Sequence, residues 1–160
     1  MLKKVGKEKK EAIKKLKLLA FDVDGVLTNG NIYLSEDGKE IKQFNTKDGL
    51  GIEIARGQGI EIALISGRKS KAVSKRAKEL GIKYCFQGVK EKGKVLKKIQ
   101  KKLKVNKKET SFMGDDLPDL KIKDEVSLFV CPCNATKKVK ENSDIITAQK
   151  GGEGAVREWI

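Results

Sequence analysis

The sequence predicts an α/β protein, a Rossmann-like three-layer α/β/α parallel sheet with a β-hairpin inserted near its start. Three observations lead there. Short apolar runs alternate with amphipathic helical segments along the chain, the pattern of a parallel sheet covered by helices. The first apolar run, Leu18-Leu19-Ala20-Phe21, drives straight into Asp22 and Asp24, placing paired carboxylates at a strand's carboxyl end, where open α/β sheets hold their sites. Residues 31–35 and 40–44 are strand-like and flank Glu36-Asp37-Gly38-Lys39, a hairpin turn that interrupts the alternation.

Strands are expected over Leu18–Val23, Glu61–Ile65, Lys83–Phe86, Thr110–Met113, Ser127–Val130 and Ile145–Ile146. Helices are expected between them, over Gly49–Gln58, Ser70–Leu80, Glu91–Leu103, Leu117–Lys123 and Ala135–Glu141. Asp48 and Ser70 read as N-caps, and Gly59 and Gly81 stand where helix C-terminal glycines belong. The first sixteen residues form a basic N-terminal segment, expected to be a solvated helix with Leu16 pointing inward. The hairpin, residues 31–44, directly follows the Asp-x-Asp loop and is expected to overhang it as a flap. With 160 residues, no repeat and no linker, residues 1–160 read as one domain.

Composition narrows the function classes. No stretch approaches the ~18 apolar residues of a membrane span. The first seventeen residues hold eight Lys and no apolar core, unlike a secretory signal, so a cytoplasmic protein is expected. A net charge of +14 raises the question of nucleic acid, but the Lys residues are spread along the chain and aromatics are only 5 %, so no binding platform is expected. A diffuse positive field suits a small anionic substrate equally well. Three cysteines (Cys85, Cys131, Cys133) and no histidine cannot complete a four-ligand structural zinc site, and an odd count argues against a disulfide framework.

Four expected strand ends present polar groups. Asp22 and Asp24 close the first; Ser66-Gly67-Arg68 closes the second; Gln87 to Lys92 follows the third; Gly114-Asp115-Asp116 closes the fourth. Carboxylates crowded at one point raise one another's pKa unless a cation neutralises them, and magnesium suits a few carboxylate oxygens with waters and a substrate phosphate. A phosphoryl group needs donors, which Ser66, backbone N–H groups at helix starts and Lys92 supply. An aspartate nucleophile splits one hard displacement into two. Arg is rare, four residues against 32 Lys, and Arg68 lies in one of these segments, which suits bidentate recognition of a carboxylate-bearing sugar; Arg56 and Arg76 also fit an ordinary helix surface.

Taken in order, the four motifs resemble those of the haloacid dehalogenase (HAD) phosphatase superfamily over nearly the entire chain. Asp-Val-Asp-Gly-Val-Leu-Thr (22–28), Phe-Asn-Thr-Lys-Asp-Gly (44–49), Ile-Ser-Gly-Arg (65–68) and Gly-Gly-Glu-Gly-Ala-Val-Arg-Glu (151–158) resemble in particular its small capless branch, the 3-deoxy-D-manno-octulosonate 8-phosphate (KDO 8-phosphate) phosphatases. The resemblance implies a HAD fold without a cap, Asp22 as nucleophile and Asp24 as general acid/base. It implies Mg2+ held by Asp22, the Asp24 main-chain carbonyl and Asp115, a phosphoryl group bound by Ser66 and Lys92, and Asp116 and Asp119 as supporting carboxylates. Thr28, Asp48, Gly67, Arg68, Arg76 and Arg157 become candidate substrate contacts. A homotetramer is implied, with hairpin and tail of neighbours completing each pocket and Arg157 and Arg76 acting across an interface. Sister phosphatases for a nonulosonate 9-phosphate have Glu at the position of Arg68, so Arg68 favours the eight-carbon acid and a place in lipopolysaccharide synthesis.

Other readings fit less well. A calcium loop would need a ligand where Val26 stands, and a P-loop needs Ser or Thr where Val95 follows Gly93-Lys94. Cys131-Pro132-Cys133 reads as a structural turn. A nonulosonate 9-phosphate phosphatase and a non-catalytic tetramerisation module, like the HAD appendages of sugar-nucleotide synthetases, remain as alternatives; such modules usually lose part of the acid set, which is complete here.

Overall fold

Leu18 to Phe21 form a strand whose four residues are all buried, as an apolar run covered on both faces must be. The computed structural model describes residues 6–160. Its elements are α1 (Lys7–Ile13), β1 (Leu18–Phe21), the hairpin strands β2 (Tyr33–Leu34) and β3 (Glu40–Ile41), α2 (Thr46–Gly57), β4 (Glu61–Ile65), α3 (Lys71–Glu79), β5 (Tyr84–Phe86), α4 (Lys92–Leu103), β6 (Thr110–Met113), β7 (Leu128–Cys131), α5 (Lys137–Asn142), β8 (Ile145–Ile146) and α6 (Ala155–Trp159). Six strands form one parallel sheet in the order β5-β4-β1-β6-β7-β8, and β2 and β3 form the separate antiparallel hairpin. The chain builds outward from β1 to one edge and then crosses to build the other. The topological switch therefore lies at the carboxyl end of β1.

Alternation along β1 divides the core. Leu19 and Phe21 join Ile52 and Ala55 of α2, Val73 and Ala77 of α3, and Val156 and Trp159 of α6 on one face. Leu18 and Ala20 join Leu96 and Ile99 of α4, Phe112, Phe129 and Val139 of α5 on the other. This is the three-layer α/β/α fold that the sequence predicts. Several polar groups within it are partnered: Trp159 Nε1 donates to Ser111 Oγ at 3.3 Å, and Gln100 Nε2 donates to Thr110 Oγ1 at 3.2 Å and to the Glu125 carbonyl at 2.8 Å. All three cysteines are free, with Cys131 buried in β7. Among the described residues no helix is long and apolar enough to cross a membrane.

Several local expectations are corrected. The first strand ends at Phe21, because the chain turns at the Asp-x-Asp loop. Helix α2 begins at Thr46, since the Asn45 side chain accepts the Lys47 N–H at 2.8 Å and so caps it earlier than Asp48 would. Ser70 precedes α3 but makes no side-chain cap bond. Leu117–Glu125 winds as a 3-10 segment rather than an α-helix; Asp116 and Asp119 close its first turn as a reciprocal capping box.

Asp48 is buried and accepts the Arg157 N–H at 2.8 Å. It caps the short C-terminal helix α6 from another element, where Gly154 at φ +108° has no side chain to do so. Burial pushes the Asp48 pKa up, against the pull of the N–H groups of Arg157, Gly154 and Val156. The adjacent Gly151-Gly152 turn docks on the loop after β1. A Cβ on Gly151 would lie 1.8 Å from the Gly25 carbonyl oxygen, and the Gly152 N–H donates to the Val26 carbonyl at 2.9 Å. The tail and the Asp-x-Asp loop thus hold each other.

Replacing Asp48 with Ala removes that cap, and urea unfolding is expected to show a loss of about 1–2 kcal/mol. Unchanged stability would show that the Asp48–α6 contact carries no weight.

Candidate active site

Strand register assembles the site. Phe21 pairs with Leu64 on one side and Met113 on the other, so the residues that follow emerge at the same edge. Backbone bonds continue the ladder past each strand: the Asp22 N–H donates to the Met113 carbonyl at 2.9 Å, Ser66 to Phe86 at 2.9 Å, and Gly114 to Val130 at 3.1 Å. Beyond Asp22 the chain folds tightly, with the N–H groups of Val26, Leu27 and Thr28 all donating to the Val23 carbonyl at 2.9–3.3 Å. Gly25 at φ +85° allows that turn and the approach of Asp115, whose Oδ2 would lie 2.0 Å from a Cβ at this position.

Asp22, Asp115 and Asp119 each offer a carboxylate oxygen, all within 4.8 Å of one another. One buried cation stands among them: Lys92 Nζ, at the first residue of α4, lies 2.8 Å from Asp22 Oδ1 and 2.6 Å from Asp119 Oδ1, and 5.9 Å from the Phe112 ring centroid. Asp119 is fully engaged, because its Oδ2 also accepts the N–H groups of Asp115 and Asp116 at 3.1 and 3.3 Å. Desolvation, then repulsion from Asp119, raises the Asp22 pKa to about 6 against the pull of Lys92. Desolvation, then Asp22 and Asp119, raises Asp115 to about 7. Lys92 is itself held above its ordinary value, its two carboxylates outweighing the burial that opposes its charge. One lysine leaves this cluster short of positive charge.

Above the cluster opens a cavity of about 330 Å³, walled by Asp22, Asp24, Ser66, Gly67, Arg68 and Lys92 together with residues of the β6 loop. Ser66 is buried, and its Oγ accepts the Arg68 N–H at 3.2 Å. A larger concavity of about 780 Å³ lies between α1 and the β8 edge. Two of its carboxylates are committed to backbone: Asp144 Oδ2 accepts the Phe129 N–H, and Glu158 Oε2 accepts those of Ala148 and Gln149. The smaller cavity at the switch point carries the convergent polar groups.

The structure gathers Asp22, Asp24, Ser66, Gly67, Arg68, Lys92 and Asp115 around this cavity. Four candidate substrate contacts stand elsewhere. The Thr28 hydroxyl is buried in the β1 loop, accepting the N–H groups of Gly25 and Gly30 at 3.4 and 3.2 Å. Asp48 caps α6. Arg76 pairs with Glu79 at 2.8 Å and lies over Gly49 of α2. Arg157 is exposed on α6, its stem against Gly51. Arg56 likewise serves the fold, donating to the Leu80 carbonyl at 2.7 Å at the end of α3. Two residues were not anticipated: Lys42 of the hairpin pairs with Asp24, and Glu40 pairs with both Lys42 and Arg68. Their spacing around the exposed Ile41 puts both on one face of β3, a signal present in the sequence.

Residues 87–160 match the family of haloacid dehalogenase-like hydrolases. Over 143 residues the chain is 40 % identical to the 3-deoxy-D-manno-octulosonate 8-phosphate phosphatase of Escherichia coli K12, covering 89 % of this chain and 76 % of that protein. The crystal structure of the Moraxella catarrhalis 3-deoxy-D-manno-octulosonate 8-phosphate phosphatase, in complex with a magnesium ion, a phosphate ion and KDO, superposes with a TM-score of 0.91 at 42 % identity, over 94 % of this chain and 87 % of that one. The cobalt-bound deoxy-D-mannose-octulosonate 8-phosphate phosphatase of Haemophilus influenzae gives a TM-score of 0.88 at 35 % identity, over 92 % and 86 %. With its six-stranded parallel sheet and its carboxylates at the end of β1, the chain belongs to the haloacid dehalogenase-like hydrolases, as a phosphatase of the family that contains the 3-deoxy-D-manno-octulosonate 8-phosphate phosphatases.

Proposed function

We propose that this protein hydrolyses the phosphomonoester of a phosphorylated 2-keto-3-deoxy sugar acid, KDO 8-phosphate before any other, through a phosphoryl group carried on Asp22. The observation that carries the reading is the meeting, in one cavity, of a buried acid cluster with Ser66, Lys92 and the guanidinium of Arg68. The Moraxella catarrhalis relative, solved with magnesium, phosphate and KDO, supports the substrate. Residues 1–160 act in this reading as one catalytic domain.

Asp22 attacks phosphorus in this reading; its carboxylate faces the cavity beside Lys92. The Asp22–phosphorus bond forms as the bond to the sugar oxygen breaks, and Asp24 gives its proton to that oxygen. Asp24 then takes a proton from water, which attacks phosphorus and returns Asp22 as a free carboxylate with inorganic phosphate. Ser66 and Lys92 hold the phosphoryl oxygens throughout. Asp119 holds Lys92, and Arg68 at the rim offers a fork for the sugar carboxylate.

The donor set fits a divalent cation. Asp22 and Asp115 are crowded and raised in pKa first by desolvation and then by neighbouring carboxylates, which is what a hard cation with oxygen ligands relieves. They and the Asp24 main-chain carbonyl would hold Mg2+, while Asp119 stays committed to Lys92 and the backbone. The ion supplies charge neutralisation and polarisation of the phosphoryl group. Both carboxylates lie above their unfolded values, so without metal the contribution of these two groups to folding stability is fully present only below the ordinary carboxylate range and is lost as pH rises through about 6 and 7.

The hairpin and one face of α2 carry exposed apolar side chains, Ile32, Leu34, Ile41, Leu50 and Ile54. Such a patch supports the homotetramer in which a neighbour covers the cavity and Arg157 reaches across an interface.

Asp22→Asn, assayed with magnesium and KDO 8-phosphate, is expected to lose at least about 10³-fold in kcat; retained phosphate release would remove Asp22 as nucleophile. Magnesium is expected to raise the melting temperature of the wild type, by more at neutral than at acid pH, and to leave Asp115→Asn nearly unmoved; equal shifts in both would exclude Asp115 as a ligand. Light scattering is expected to report four subunits for the wild type and smaller species for the double variant L34E/I41E; a wild-type monomer would remove the tetramer.

A further inference from the structure

The hairpin hangs over the site with little to hold it. Among the described residues, 31–44 make no backbone–backbone hydrogen bond to the main sheet or its helices, and Tyr33, Leu34 and Ile41 are exposed. Yet one hairpin side chain, Lys42, is only 2 % exposed. Its Nζ donates to Asp24 Oδ1 and lies 2.9 Å from Glu40 Oε1. The other Glu40 oxygen pairs with Arg68. An unbroken ion-pair chain therefore runs from the β4 loop through the hairpin to the second carboxylate of the Asp-x-Asp loop: Arg68, Glu40, Lys42, Asp24.

Burial opposes the Lys42 charge, and Asp24 and Glu40 together outweigh it, so the ammonium stays protonated above its ordinary range. Glu40 in turn is held below the usual carboxylate range, first by Lys42 and then by Arg68. Asp24 sits on a loop, partly open to solvent, and Lys42 is the one cation paired with its side chain among the described residues. A carboxylate that must meet the leaving oxygen and then a water gains from a fixed rotamer, because misplacement by an ångström costs orders of magnitude in rate.

We propose that Lys42 is a positioning residue for Asp24, and that Glu40 orients Lys42 from the opposite side and links it to Arg68. This inference rests on the reading of Asp24 as general acid. The hairpin then does more than cover the cavity: it supplies the contact that aims the proton donor. Because Arg68 shares Glu40, a substrate carboxylate arriving at Arg68 competes for the same chain of charges, so substrate recognition and proton transfer are mechanically joined.

The test separates proton donation from general damage by the leaving group. Single-turnover release of the alcohol is followed for KDO 8-phosphate, whose sugar oxygen needs a proton to leave, and for p-nitrophenyl phosphate, whose nitrophenolate departs without one. Asp24→Asn and Lys42→Gln are both expected to slow release of the sugar acid, Lys42→Gln by about 10- to 100-fold, with nitrophenolate release held within about twofold. Glu40→Gln, which leaves Lys42 in place, is expected to show the same split at smaller size and serves if Lys42→Gln does not fold. Lys39→Gln, an exposed turn residue paired with Asp37, is expected to change neither rate. A split in Asp24→Asn without one in Lys42→Gln or Glu40→Gln would overturn the proposal alone. Equal slowing of both substrates by Lys42→Gln would also overturn it, showing a structural role. No split in Asp24→Asn would overturn the reading of Asp24 beneath it.

Discussion

Everything at the site depends on gathering negative charge at the end of β1 with too little positive charge to balance it. Asp22, Asp115 and Asp119 share a space less than 5 Å across, and Lys92 is the cation buried with them. Burying charge in a low-dielectric interior is costly, which is why the pKa values of Asp22 and Asp115 rise and why each remaining contact is specific. Gly25 and Gly114 follow from the same crowding: a Cβ at either would enter the carboxylate of Asp115 or Asp119. The cluster is thus a charge deficit built into the fold, complementary to a divalent cation and a phosphate.

The parallel sheet makes the deficit possible. Pairing of Phe21 with Leu64 and with Met113 brings Ser66, Asp22 and Asp115 to one edge although they are separated by dozens of residues in sequence. The two apolar layers on either face fix that register, and the C-terminal turn locks the Asp-x-Asp loop from behind through Gly151 and Gly152. Asp48 belongs to this support. Its burial against α6 serves the tail that braces the loop.

The residues most legible in the sequence were those whose chemistry follows from strand ends. A short apolar run with polar residues at its close marks a strand's functional terminus by local pattern alone, so Asp22, Asp24, Ser66, Lys92 and Asp115 could be found without a partner in view. Where a role is set by a distant partner, local pattern misleads. Asp48 near a helix start resembles a cap for its own helix, but Asn45 holds that place and Asp48 serves a helix 109 residues away. Thr28 bonds the loop backbone, and Arg76 pairs with Glu79 of its own helix while lying over Gly49 of α2. The alternate spacing of Glu40 and Lys42 shows in the sequence, but their partners, Asp24 and Arg68, are set by the folding of the hairpin onto the site.

The proposed mechanism turns on Asp22 carrying the phosphoryl group. A single turnover with phosphate-labelled substrate, quenched in acid and followed by peptide mapping of the protein, measures this directly. Stoichiometric, transient label on Asp22 is expected. Label on Asp24 or Asp115, or a turnover that passes with no protein-bound phosphate at any time, would contradict it.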